Sequence, residues 1–214
     1  MKTLFNLKLV AFILSIGLFA TSCKEDDDPG AAPNTNGNTE YNGQKYTIKN
    51  GYYAVGDGIK LYGNANTHHL DFLFITDGTP QFSNDGDITS MKDGKIAILG
   101  ATISPDGNSF KPGTFEYNDL AADVNLTPAQ IEAKYKNKAF FYESIVRIDT
   151  DGDNNWQEEA DIKITGGTIK VTGALPAITT EYNLNLENGK TIKGNFGGTF
   201  NKLNLDLDLD EDGE

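Results

Sequence analysis

The feature that most constrains this chain is a period-two alternation of apolar and polar residues, cut into short runs by glycine-containing turn pairs. In residues 181–200, Tyr182, Leu184 and Leu186 face Ile192, Phe196 and Phe200 across an Asn188-Gly189 pair. Phe140, Tyr142, Val146 and Ile148 read as one face of another run, and Ile162 and Ile164 pair with Ile169 and Val171 across Gly166-Gly167. Residues 202–210 alternate most strictly, with Leu203, Leu205, Leu207 and Leu209 on one face and Asn204, Asp206, Asp208 and Asp210 on the other. Side chains two apart share a face only in extended backbone, so these runs read as half-buried strands. The acids of the last run suit an edge strand guarded by charge. Asn42-Gly43, Asn50-Gly51, Asp57-Gly58, Asp77-Gly78, Asp93-Gly94 and Asp106-Gly107 supply further turn signals.

One segment breaks the pattern. Thr127 can cap a helix, Pro128 suits its first position, and Ile131 and Tyr135 lie four apart, which predicts a short helix over 128–136. The expected fold is therefore all-β: an antiparallel barrel or sandwich of roughly 8–10 strands with one short helix. Strand spacing is satisfied by either architecture.

The N-terminus carries an address. Lys2 and Lys8 precede an apolar run, Leu9 to Ala20, broken only by Ser15. Such a run is too short to span a bilayer core of roughly 30 Å and reads as a signal peptide over 1–22. Cys23 is the only cysteine, so it has no disulfide partner within the chain. Ala20, Thr21, Ser22 and Cys23 resemble the bacterial lipobox, with Ala20 where the strict form prefers Leu. Lys24, Glu25, Asp26, Asp27 and Asp28 resemble the acidic export tag of Bacteroidota surface lipoproteins. The chain as a whole resembles the small β-rich lipoproteins of that group, some of them described as lipocalin-like. The resemblance implies lipidation of Cys23 and anchoring at the outer membrane, facing the cell exterior. Residues 23–40 contain no large apolar residue and read as an acidic tether, and 41–214 as a single β domain.

The net charge of −13 becomes more negative once the signal and its two lysines are lost. Nucleic acid is thereby excluded as a partner, because phosphate binding needs clustered Lys and Arg. A cation, a glycan or another envelope protein remains compatible, and the lipid anchor makes the membrane itself a partner.

The densest candidate site is IDTDGDNNWQEEAD. Asp149, Asp151 and Asp153 alternate, with Asn155, Glu158 and Glu159 behind them, and Ca²⁺ wants six to eight oxygens from such a loop. The match to a helical calcium loop is partial, since Asn154 stands where Gly belongs and Ala160 where the bidentate acid belongs. Trp156, in the same loop, and Tyr52 and Tyr53 are candidate flat platforms for a ligand. His68 and His69 diverge on a strand and cannot jointly grip a metal, whereas His69 and Asp71 share a face and can hydrogen-bond. No catalytic constellation is recognisable. The expected role is a non-catalytic binding or interaction module. Two alternatives stand beside it: a lipocalin-like carrier of an apolar ligand, and a polysaccharide hydrolase with a spatially assembled carboxylate pair.

Overall fold

The computed structural model describes residues 37–82 and 88–203. The candidate residues Cys23 and Lys24 to Asp28, and the acidic face from Asn204 to Asp210, lie outside the described residues.

The strands begin with a hairpin, β1 (Gly37–Tyr41) and β2 (Gln44–Ile48), turned by Asn42-Gly43 with both residues in the left-handed region, φ 51° and 78°. That is the tight turn the pair encodes. β1 starts inside the expected tether, at Gly37 rather than Tyr41. Gly37 packs directly on the backbone of Asn195 and Phe196, and the Thr39 hydroxyl bonds the buried Tyr182 hydroxyl. Neither contact needs a large apolar residue, so the strand left no hydrophobic trace in the sequence.

The chain continues through β3 (Asn50–Ile59), β4 (His68–Thr76), a small hairpin of β5 (Thr79–Phe82) and β6 (Ile88–Lys92), β7 (Ile96–Ser104) and β8 (Gly113–Tyr117). A 3-10 turn (Leu120–Asp123) and the helix α1 (Pro128–Tyr135) then lead to β9 (Phe140–Ile148), β10 (Ile162–Ala174), β11 (Ala177–Leu186) and β12 (Thr191–Lys202). Antiparallel ladders join β3 to β4, β4 to β7, β7 to β9, β9 to β10, β10 to β11 and β11 to β12. The circuit closes where Phe200–Lys202 of β12 pairs with Gly51–Tyr53 of β3. Ten strands belong to this sheet and two to the separate hairpin. A closed circuit leaves the ring strands no free edge.

Two ladders are parallel, β12 with β3 and β8 with β9, against the expectation of a wholly antiparallel sheet. Parallel neighbours need a crossover of a dozen or more residues, usually helical, and α1 lies within the one between β8 and β9. The helix starts as predicted: Thr127 accepts from the Gln130 amide while the Gln130 side chain accepts from the Thr127 amide. Asp123, hydrogen-bonded by Lys134 and Tyr135, ties the 3-10 turn to it.

Two sequence readings are corrected by bulges. Gly166-Gly167 is not a hairpin turn; β10 runs straight through it, with a register shift between Ile164 and Gly166 and Gly167 at φ 106°. The extra residue lets Ile164, Ile169 and Val171 all point inward although their numbers change parity. The face read into β9 is likewise split. Glu143, at φ 41°, lies at a second bulge, so Phe141, Val146 and Ile148 face the interior while Phe140 and Tyr142 face outward.

The interior is an apolar cluster built from every ring strand, with Phe115, Phe141, Leu184, Ile192, Phe196 and Phe200 essentially inaccessible. The outer face of β4 and β7 is covered as well. Tyr135 of α1 closes over Leu70, Ala101 and Ile103, and Ile88, Met91 and Trp156 close over Phe74 and Ala97. The interior void bordered by Leu73, Ile98, Gly100, Ile169 and Tyr182 measures about 30 Å³.

Two glycines should respond oppositely to the same substitution. At Gly167 a Cβ would strike the Asn183 carbonyl with φ in the left-handed region, so Gly167→Ala should cost about 2 kcal/mol. At Gly100 a Cβ would rest 3.6 Å from the Ile169 Cδ1 atom, beside the void. Gly100→Ala should stabilise by about 0.5–1 kcal/mol, and urea unfolding of both variants reads the contrast.

Candidate functional site

The loop after β9 folds on its own acids. Asp149 Oδ1 accepts from the Gly152 amide at 2.5 Å, Asp151 Oδ1 from Asp153 at 3.1 Å and Asp153 Oδ1 from Asn155 at 2.7 Å. Short acidic side chains that bond the backbone two or three residues on build such turns locally. Gly152 and Asn154 supply the positive φ values, 81° and 62°. The result gathers one oxygen each from Asp149, Asp151, Asp153 and Glu159 within 4.8 Å of one another. Oxygens on opposite sides of a Ca²⁺ shell lie about 5 Å apart, so this set fits a single hard cation. Glu159, not the residue at 160, closes the set. Glu158 is exposed and outside it, and Asn155 serves the loop through its backbone, its carbonyl accepting from the Glu158 amide.

Trp156 does not present a platform. It is fully buried against Phe74, Ile88, Met91 and Ala97, and its carbonyl accepts from Arg147 at 3.2 Å. Its ring pins the acidic loop to the barrel wall and is closed to ligands. The two tyrosines diverge as strand neighbours must, yet neither is free in solvent, because both faces of β3 are packed. Tyr52 lies against Phe74 and Phe82, with ring centroids 5.4 and 5.9 Å away. Tyr53 turns inward to a cavity at one end of the barrel.

That cavity, of about 380 Å³, is bordered by the His69–Asp71 pair. His69 and Asp71 point inward from β4, and His69 Nδ1 lies 2.8 Å from Asp71 Oδ2. Both residues are buried, and Asp71 Oδ1 has no hydrogen-bond partner. Burial pushes the Asp71 carboxyl up, opposed by the hydrogen bond and charge of His69 and by the nearby Gly56 amide. Tyr53, Val55, Phe110, Pro112 and Leu175 wall the cavity, and Asn108 and Ser109 add polar groups. The signal that could have found this site is the run HHLDFLFI: near-continuous apolar residues mark a strand buried on both faces, and any acid within it is buried too. His68, on the opposite face, bonds the Tyr135 carbonyl, and burial pushes its pKa down.

A second cavity, about 510 Å³, opens through the wall. β9 and β10 pair directly at Ile145–Val146 and Ile162–Lys163, then part to admit β8. Tyr117, Tyr142, Glu143 and Asp119 border the gap, with both acids exposed. Comparison of the chain with protein families, curated proteins and solved structures returns no match.

A carboxyl whose folded-state pKa is raised takes up a proton on folding, so its contribution to stability falls as pH rises from its ordinary range through the raised value. Asp71→Asn removes that proton uptake. The variant should therefore gain on the wild type in thermal midpoint as pH rises from the ordinary carboxyl range upward; a constant difference would show that Asp71 titrates alike in both states.

Proposed function

We propose that this chain is a lipid-anchored protein of the outer membrane, facing the cell exterior through Cys23 and the acidic tag. Its β domain is a non-catalytic module that binds a glycan or another envelope protein. The observation that carries the reading is where the space lies: the void among Leu73, Ile98 and Ile169 measures about 30 Å³, while ligand-sized cavities of about 380 and 510 Å³ open at the barrel end and beside the gap between β9 and β10. About 30 Å³ is room for water and not for an apolar cargo, so a carrier would have to use the barrel end, where the buried carboxyl of Asp71 borders the space. The exposure of Asp119 and Glu143 weighs against a hydrolase, whose general acid needs a drier setting. Ca²⁺ in the Asp149–Glu159 loop would lock the chain segment that Trp156 anchors, as a structural ion. The partner reading is tested by a glycan array probed with the mature chain, alongside pull-downs from envelope extracts; failure of both would remove it.

The anchor and the ion give separate tests. Cys23→Ala should move the protein from the membrane fraction to the soluble fraction, and protease added to whole cells should cleave the wild-type protein. At a free Ca²⁺ concentration 100 times its Kd, binding stabilises by about 2.7 kcal/mol, or roughly 5–10 °C in a domain of this size. Asp151→Ala should abolish that shift and Glu158→Ala should keep it.

A further inference from the structure

The ring has a window beside β8. β10 pairs with β9 at Ile162–Lys163 and with β8 from Thr168 onward, so residues 164–167 have no ladder partner on that side. Across the gap, β9 pairs with β8 at Phe140–Phe141 and with β10 at Ile145–Val146, and 142–144 are left without a partner there. Tyr117, packed on the interior cluster, and Tyr142, packed on the outer one, are half-buried and border the cavity of about 510 Å³ at this window. The Tyr117 ring is held edge-on to Phe141, with centroids 5.6 Å apart. Burial pushes its hydroxyl up and the charges of Asp119 and Glu143 add to the effect, so both carboxylates lie near the phenol. Glu143 holds φ 41°, in the region that favours glycine, yet its side chain is exposed and adds nothing to the core. Strain of this kind clusters at binding sites. The rest of the lining narrows the class: Leu120, Ile145 and Ile164 are apolar, while Asn118, Lys163 and Thr165 add an amide, an amine and a hydroxyl. An apolar ligand would strip water from these polar groups and return no hydrogen bond. An anion would meet two carboxylates against one amine, and two carboxylates fall short of the six to eight oxygens that Ca²⁺ takes. What fits is a neutral ring with hydroxyls on its edge and a C–H face.

We propose that the cavity at this window binds one sugar ring of a glycan, with the Glu143 and Asp119 carboxylates accepting from its hydroxyls and Tyr117 covering its C–H face. This deepens the glycan reading above and rests on it. Both acids are exposed, so a ligand reaches them directly from solvent. Asp119 Oδ1 accepts from the Ala121 amide at 3.1 Å, which fixes the carboxylate at the start of the 3-10 turn and leaves Oδ2 for the sugar. A sugar hydroxyl both donates and accepts; the Asn118 amide and the Lys163 amine supply donors, and Thr165 offers either role. A cavity of about 510 Å³ is of the size ligand sites occupy. Tyr117, already fixed against Phe141, has little rotamer freedom to lose when a ligand covers it.

The test is saturation-transfer NMR of the full mature chain with glucose, galactose, mannose and N-acetylglucosamine, each at about 10 mM, a concentration suited to Kd values in the millimolar range. At least one sugar should receive transfer to its ring protons. Glu143→Gly removes a carboxylate and suits the left-handed backbone. It should weaken that sugar by about tenfold or more, the loss of one charge-assisted hydrogen bond, while the thermal midpoint holds or rises. Ala121→Trp, at an exposed position on the border of the cavity, should weaken it as much by blocking entry, and it decides the matter if the bulge variant fails to fold. Transfer to no sugar in the panel, or binding unchanged in either folded variant, overturns the proposal. So does displacement of the sugar by methylammonium at equal concentration, which would assign the carboxylates to an amine. A positive glycan array unaffected by both substitutions would leave the broader glycan reading standing and remove this cavity from it.

Discussion

The ladder between β4 and β7 runs through the molecule with apolar side chains on both of its faces, so a single layer of packing cannot bury it. Closing the sheet into a ring covers the inner face: Leu73, Ile75, Ile96 and Ile98 meet the opposite wall at Ile169, Ile178 and Leu184. The outer face has to be covered by elements that are not part of the ring. Tyr135 of α1 covers one half and the β5–β6 hairpin with Trp156 covers the other. The positions of the helix, of the small hairpin and of the acidic loop all follow from this double demand. The loop is held against the wall because its one large side chain is needed there.

How far the sequence told this in advance varies by element, for physical reasons. Local signals are plain. The Thr127-Pro128 start of α1 and the Asn42-Gly43 turn depend on a few adjacent residues, and both formed as expected. The alternation in β11 and β12 was equally plain, because each has one face in the core and one in solvent. Signals that depend on partners are not legible along the chain. Gly166-Gly167 carries the composition of a turn, and only the approach of the Asn183 carbonyl makes it a bulge. Glu143 carries no composition cue at all, yet it divides β9 between two cores. The polar sequence neighbours of Trp156 suit a ligand platform and a core cover alike; its neighbours in space, Phe74, Ile88, Met91 and Ala97, make it a cover.

The same reasoning applies to the candidate sites. The acidic loop is legible because its acids are adjacent and bond their own backbone; of the six residues it suggests, the fold gathers Asp149, Asp151, Asp153 and Glu159 and leaves Glu158 outside. His69 and Asp71 are legible as a pair, but their burial at the barrel end is not. Their setting is contributed by Tyr53, Phe110 and Leu175, residues from three other parts of the chain that come together only when the barrel closes. A cavity made by closure leaves no pattern along the chain.

Closure itself falls to the last described strand. β12 pairs with β11 along one side, and with β1 and then β3 along the other, so it joins the first segment of the domain to the last. Thr39 and Tyr182, hydrogen-bonded in the finished core, are 143 residues apart in the chain. Until residues 191–202 have emerged, the ring is open and the faces that become the interior have no cover. Pairings of such long range are slow to form. A nascent chain of this design cannot close its ring until its last described strand has been made.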